Sequence, residues 1–215
     1  MSDLDLTILQ KIVIYAIPLI FAVTVHEVSH GYFALKYGDS TAKTLGRLTL
    51  NPIKHIDVIG TIIIPLIGLI FGGFIFGWAK PVPVNFGRLR NPKKDMFWVC
   101  LAGPLSNFIM YLIWILFLKL ALVINPYFGT PLSYMAYAGI SINISLMLIN
   151  LIPILPLDGG RMVFSMLPTQ MAFKFARLEP YGMIIILLLI FTGALFVIIK
   201  PLYAYFMSLI PILIQ

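Results

Sequence analysis

The chain has 215 residues, 60% of them hydrophobic and 11% charged, with mean hydropathy +1.01. Soluble domains carry roughly 25% charged residues, so the composition excludes a soluble globular protein and leaves one embedded in a lipid bilayer. At about 20 apolar residues per helical span, the length allows roughly four to six spans and no sizeable soluble domain. The net charge of +7 marks cytoplasmic loops in such a protein, and no basic stretch interleaved with aromatics points to nucleic acid.

In chain order, residues 6–36 read as a long first helix, with Pro18 as a kink and Gly38 as a stop. The run lacks a basic start and holds two histidines, so it reads as a retained helix and no signal peptide. Residues 37–57 are polar and punctuated, a surface or interfacial loop. Residues 58–77 are apolar but interrupted by glycines and Pro65, and residues 78–95 are basic with Pro81, Pro83 and Pro92. A clean span follows at 96–124, broken only by Gly103-Pro104 and Lys119. Residues 125–132 form an uncharged loop, and 133–156 a span ending at Pro153 and Pro156. Residues 157–180 are polar and basic, with a short surface helix. Residues 181–199 are the last clear span, and Pro201 introduces 202–214, short for a crossing. The single cysteine, Cys100, excludes an intramolecular disulfide and lies in an apolar run as a packing residue.

Charge decides how 58–77 is read. If that stretch re-enters without crossing, the basic loops at 37–57, 78–95 and 157–180 share one side, and the uncharged loop at 125–132 lies on the other. Basic loops collect in the cytoplasm, so this reading gives the cleaner asymmetry. Glycines and Pro65 suit a broken segment buried in protein. The predicted fold is an all-α polytopic membrane protein. It is a bundle of about four to five transmembrane helices, with a re-entrant or β-like interfacial segment between the first and second core helices.

The chemistry concentrates in His26-Glu27-Val28-Ser29-His30, within a helix that carries no charge from Ile12 to Thr24. Residues four apart share a helix face, so His26 and His30 can grip one metal ion, and Glu27 between them can reach a water on it. Ionisable groups in a bilayer-length segment are costly and mark function by default. These are two of the three histidines in the chain, and Glu179 is the only other glutamate. A catalytic zinc site usually takes a third protein ligand. A third histidine at the metzincin spacing would fall at Lys36. The other candidates are Glu179, His55, Asp39, Asp57, Asp95 and Asp158. Asp158 stands out, because it follows an apolar span on broken backbone between two prolines and two glycines. Two readings fit it: a metal ligand at membrane depth, or the cap of the following helix. His55 and Asp57 lie in a polar loop and read as surface or interfacial contacts.

Together, HEVSHG at 26–31 and NLIPILPLDGG at 150–160 resemble the site-2 protease family of intramembrane zinc metalloproteases (peptidase family M50). Ala102-Gly103-Pro104-Leu105-Ser106-Asn107 is similar to the family's middle motif. GRLTLNPIKHID at 46–57 and GWAKPVPVN at 77–85 resemble a small bacterial branch. HExxH alone is shared with many zinc proteases; the paired LDG motif makes the likeness specific. It implies Zn²⁺ held by His26, His30 and Asp158, Glu27 as general base, and Asn150 and Asn107 as substrate-binding residues. The alternative for both asparagines is a helix–helix hydrogen bond.

The resulting expectation is a small form without PDZ or CBS domains. Residues 1–215 make one membrane-embedded protease domain, with a catalytic core of about 6–161 and C-terminal membrane helices of about 181–215. The expected activity is hydrolysis of peptide bonds in or near transmembrane segments of a protein or peptide substrate. The setting is a prokaryotic cell membrane, with the active site toward the cytoplasm. The rival is an intramembrane metal-binding or metal-transport protein without proteolytic activity.

Overall fold

The structure, a computed structural model, describes residues 6–57, 60, 63 and 80–214. Helix α1 (Ile8–Lys36) opens on a capping box. The Thr7 hydroxyl oxygen accepts from Gln10 N, and the Gln10 side chain accepts from Thr7 N at 2.8 Å. The box satisfies amides that the first helical turn leaves without partners. Pro18 stays inside the helix. The helix ends at Tyr37, and Gly38 follows at φ +113°, a conformation open to glycine. A short helix, α2 (Thr41–Thr44), and a 3-10 turn at Pro52–His55 come next.

The central element is α3 (Pro92–Val123), with proline at its first position and the Asp95 carboxylate accepting from Asn91 N at 2.7 Å. It begins four residues before the expected span, because this Pro-start favours helix despite the charges at Lys93, Lys94 and Asp95. Helix α4 (Pro126–Asn150) follows after only Ile124 and Asn125. The expected loop at 125–132 is therefore helical. Asn125 caps it by accepting from Tyr127 N at 2.9 Å, and Pro126 is preset for the first turn. A Cβ at Gly129 would strike the Ala121 carbonyl, so glycine permits the tight hairpin. Further along, Gly139 lies against the Trp114 ring, and Tyr111, Trp114, Leu118, Ile140 and Ile144 share one buried core.

Residues 151–157 break the chain before α5 (Asp158–Met166), where the expected span would have continued to 156. Next come α6 (Thr169–Ala176), α7 (Glu179–Phe191), α8 (Ala194–Ser208) and α9 (Ile210–Ile214). The expected break at Pro201 falls instead at Gly193, whose φ of +73° stops α7. Pro201 is accommodated within α8. Thus 181–199 is not a continuous span; Ala194–Ile214 is the crossing-length stretch. Two hydrogen bonds tie it to the core: Tyr203 with Ser141 at 2.7 Å, and Tyr111 Oη to the Phe206 carbonyl at 2.9 Å.

Among the described residues, four helical stretches are long and apolar enough to cross a membrane: Leu9–Lys36, Pro92–Val123, Pro126–Asn150 and Ala194–Ile214. No strand occurs among these residues. Exposed Ile12, Phe21, Leu116, Leu122, Phe191 and Val197 form the apolar outer surface expected in a bilayer. The protein is an integral membrane protein of all-α architecture.

Direction follows from paired contacts. His30 meets Val99 and His26 meets Asn107, so α1 and α3 are antiparallel. Asn107 meets Asn143 while Gly139 packs on Trp114, so α3 and α4 are antiparallel too. Helices α1 and α4 therefore run the same way. The loops flanking the 58–77 stretch meet at one end of this bundle: Arg90 N donates to the Tyr37 carbonyl at 2.9 Å, and Lys80 N to the His55 carbonyl at 2.9 Å. Lys93 Nζ contacts the Leu167 carbonyl, bringing the basic 157–180 region to the same end. Apart from Gly60 and Ile63, the expected re-entrant segment lies outside the described residues.

Candidate metal centre

The site is built where α1, α3 and the start of α5 meet. Helical spacing puts His26 and His30 one turn apart, and their Nε2 atoms lie 3.1 Å from each other. Asp158 Oδ2 lies 3.2 Å from His26 Nε2 and 3.3 Å from His30 Nε2. Donors bound tetrahedrally to zinc at about 2.0–2.2 Å stand roughly 3.3–3.6 Å apart. The three atoms thus form a triangle close to one face of a zinc tetrahedron.

Proton bookkeeping supports the fit. His26 Nδ1 lies 2.6 Å from Asn107 Oδ1, and His30 Nδ1 lies 2.7 Å from the Val99 carbonyl. A carbonyl only accepts, so each neutral ring carries its proton on Nδ1 and presents a lone pair at Nε2. Two lone pairs and a carboxylate oxygen then converge. Asp158 Oδ2 is buried and receives no hydrogen bond from a donor among the described residues. Such a cluster is relieved by a cation at its centre. His26, His30 and Asp158 form the group of His, Cys, Asp or Glu able to hold a metal ion among the described residues.

Backbone shape makes room for it. A Cβ at Gly103 would fall on His30 Nε2 and lie 2.6 Å from His26 Nε2. Only glycine lets α3 pass this close. Asp158 is the first residue of α5, where the positive end of the helix suits a carboxylate. Leu157 is the cap residue, and no side chain caps the helix. Added Cβ atoms at Gly159 and Gly160 would strike the backbone of Leu151 and Ile154 respectively. Those glycines let the first turn of α5 fold back on the 151–157 segment, which turns Asp158 toward the histidines.

Glu27 lies beside the triangle without joining it. One of its carboxylate oxygens accepts from Val82 N at 2.7 Å. The same extended stretch is gripped again three residues on, where Asn85 N donates to Asp39 Oδ2 at 2.7 Å. Asp39 is fully buried and also takes hydrogen bonds from the Thr41 amide and hydroxyl. Burial alone would raise its carboxyl pKa; the bonds from Thr41 and Asn85, with Arg88 nearby, outweigh burial and hold it below the usual range. Arg47 adds donors to the Lys80 and Pro81 carbonyls at 3.0 and 3.3 Å.

The remaining candidates sit elsewhere. His55 is buried with Nε2 against the Thr49 carbonyl at 2.8 Å, and Asp57 accepts from Gly60 N at 2.7 Å. Glu179 pairs with Arg161 at 3.4 Å near the surface. Asn150 is half-buried and donates to the Leu146 carbonyl at 3.0 Å. Asn107 has no exposed surface, and its polar atoms are engaged by His26, Ala22 and Asn143. A substrate could reach it only by breaking that network. Sequence reasoning passed over Asn143, Val82 and the steric need for Gly103. Asn143 had a readable signal, a polar residue two helical turns before Asn150 in an apolar span.

A family model described as Peptidase family M50 matches residues 127–193, from α4 through Asp158 to the end of α7. Among curated sequences, the chain is similar to "Putative zinc metalloprotease YwhC" of Bacillus subtilis (strain 168). The two are 41% identical over 180 residues, covering 82% of this chain and 79% of that protein. The chain belongs to peptidase family M50. A relative of lower identity is "Putative zinc metalloprotease Rip2" of Mycolicibacterium smegmatis (strain ATCC 700084 / mc(2)155), 27% identical over 82% of this chain and 66% of its own length. "Stage IV sporulation protein FB" of Bacillus subtilis (strain 168) is 30% identical over 41% of this chain and 28% of that protein. No solved structure matches.

Proposed function

We propose that this M50 protein is a zinc-dependent endopeptidase of the site-2 protease type, cutting peptide bonds in or near transmembrane segments of membrane proteins. The observation that carries the reading is the triangle of His26 Nε2, His30 Nε2 and Asp158 Oδ2, 3.1–3.3 Å on a side and walled by membrane helices, with Glu27 alongside. Residues 1–215 act as one membrane-embedded protease domain, with the core at about 6–161 and further membrane helices at about 181–215. The basic loops gathered at the metal end of the bundle support an active site facing the cytoplasm of a prokaryotic cell membrane.

His26, His30 and Asp158 would hold the zinc. When bound, zinc lowers the pKa of water from 15.7 toward ~7 and polarises a carbonyl. Glu27 takes the proton of the attacking water as its oxygen bonds to the scissile carbonyl carbon. It then delivers that proton to the nitrogen as the C–N bond breaks, and the second water proton follows to the amine, releasing an ammonium and a carboxylate. The Val82 amide holds one Glu27 oxygen and so orients the base before attack. Asn150, the last residue of α4, supplies an amide to the substrate backbone; its side chain is half-buried and donates to the Leu146 carbonyl of its own helix turn.

The test is purified protein in lipid, wild type and Glu27→Gln, with a panel of transmembrane peptides and zinc analysis of both proteins. Glu27→Gln keeps zinc and loses cleavage by about 10²–10⁴-fold. Full activity in that variant overturns the mechanism. Bound zinc without cleavage of any peptide in the panel favours a metal-binding or metal-transport role instead.

A further inference from the structure

We propose that Asn143 on α4 is a positioning residue for the metal ligand His26, acting through Asn107 on α3. The inference rests on the metal-site reading above. Asn143 does not touch the metal triangle, yet it sits at the far end of a chain of hydrogen bonds that leads into it. Asn143 Nδ2 donates to the Gly139 carbonyl at 2.8 Å, and Asn107 Nδ2 donates to Asn143 Oδ1 at 3.0 Å and to the Ala22 carbonyl at 3.3 Å. Asn107 Oδ1 then faces His26 Nδ1 at 2.6 Å.

The direction of every bond is forced. Backbone carbonyls accept and cannot donate, so the Gly139 carbonyl fixes which way the Asn143 amide points, and the Ala22 carbonyl does the same for Asn107. Turning Asn107 over would set oxygen against the Ala22 and Asn143 oxygens and put its NH₂ against His26. With both amides fixed, Asn107 offers His26 an acceptor only. His26 must carry its proton on Nδ1, which frees Nε2 for the metal. His30 reaches the same tautomer from a single backbone carbonyl, that of Val99. The two ligands are therefore set by independent devices, one of which draws on α1, α3 and α4 together.

Burial gives the arrangement its force. Asn107 and Asn143 have 0% exposed surface, so water cannot replace a missing partner. Asn143 replaced by leucine leaves the Asn107 NH₂ held by the Ala22 carbonyl alone, through one long bond of 3.3 Å, and so weakens the hold on the direction of the amide that faces His26. An interhelical bond serving only packing would leave the direction of the amide at His26 without consequence, and this difference makes the idea testable.

The experiment uses the full chain in detergent or lipid: wild type, Asn107→Leu, Asn143→Leu and the double variant. Zn²⁺ affinity is read by competition with a chromophoric chelator, the visible absorption of the Co²⁺-loaded protein reports ligand geometry, and melting in EDTA reports the apo fold. Outer-shell partners of a ligating histidine are worth about 10–100-fold in metal affinity. Asn107→Leu loses that much, Asn143→Leu loses part of it with an altered Co²⁺ spectrum, and the double variant matches Asn107→Leu because Asn143 acts through Asn107. Should Asn143→Leu fail to fold, Asn143→Ala carries the same expectation with a smaller side chain. Wild-type affinity and spectrum in a folded Asn143 variant, or losses that simply add in the double variant, overturn the proposal. Failure of the wild type to bind Zn²⁺ overturns the metal-site reading itself, and this inference with it.

Discussion

Replacing Gly103 by alanine separates metal binding from fold stability. The added Cβ would fall on His30 Nε2 and 2.6 Å from both His26 Nε2 and Cε1. Ordinary carbon contacts begin near 3.4 Å, so both rings must retreat by about 0.8–1 Å, whereas metal–ligand distances tolerate about 0.2 Å. Two of the three proposed ligands are then misplaced together. Zn²⁺ affinity should fall by at least about 100-fold, or roughly 2.7 kcal/mol. The apo protein loses less, because the two rings shift at the expense of their Nδ1 bonds to Asn107 and Val99, about 1 kcal/mol each, while α3 exchanges glycine for a better helix former, worth up to about 1 kcal/mol in the other direction. Competition with a chelating dye measures the first effect, and thermal melting in EDTA the second. The expected result is lost zinc affinity with an apo melting temperature close to wild type. Zinc affinity within threefold of wild type in Gly103→Ala would refute the placement of the two rings against α3.

Other changes probe the surroundings. Val82 already precedes a proline and so favours extended backbone, which lets Val82→Pro remove its N–H with little strain. A hydrogen bond to a charged group is worth about 1.5–3 kcal/mol, so kcat should drop roughly 10- to 100-fold with zinc retained, while Val82→Ala stays near wild type. Asn150→Ala should raise KM about 2- to 10-fold with kcat little changed, the loss of one neutral hydrogen bond; a fall in kcat alone would argue against substrate contact. Because the Asp39 carboxyl is held below its unfolded value, its stabilisation is complete above about pH 4 and is lost as pH falls through the folded value. Melting scans at descending pH should show less acid sensitivity in Asp39→Asn than in wild type. Cysteines introduced at Lys43 and Arg88, both exposed, should label from the same membrane face, with Cys100 buried and silent; labelling from opposite faces would contradict the gathering of these loops at one end.

Helix type and helix number were legible because bilayer thickness imposes long apolar runs. Breaks were less legible. Pro201 looked like a terminator, but Pro201 is accommodated inside α8, while Gly193 stopped α7 by taking a left-handed conformation that composition does not announce. The stretch at 125–132 looked like a loop because Pro126, Gly129 and Pro131 are loop residues by habit. Here Pro126 opens a helix and Gly129 makes room for the Ala121 carbonyl. At the site, the histidine spacing was local and readable, and Asp158 could be proposed because a carboxylate on broken apolar backbone is costly. Gly103 and the Val82 amide were not readable in the same way. Their parts depend on which backbone passes within a few ångströms of a side chain dozens of residues away.

The stretch from Pro81 to Asn85 shows how few free donors remain beside Glu27. Pro81 and Pro83 have no N–H, Val82 N is bonded to Glu27, and Asn85 N to Asp39. Arg47 meanwhile holds the Lys80 and Pro81 carbonyls. The stretch is thus fixed to the first helix and its following loop by groups that lie outside the metal triangle. Three polar systems converge on α1: two buried amides at His26, a backbone carbonyl at His30, and this stretch at Glu27. Each reaches a different residue of one helical turn, and each ends on a group of fixed polarity. In a low-dielectric interior a misdirected bond is costly, so the surrounding helices and loop set which ring nitrogen of His26 and of His30 carries the proton and how Glu27 is oriented.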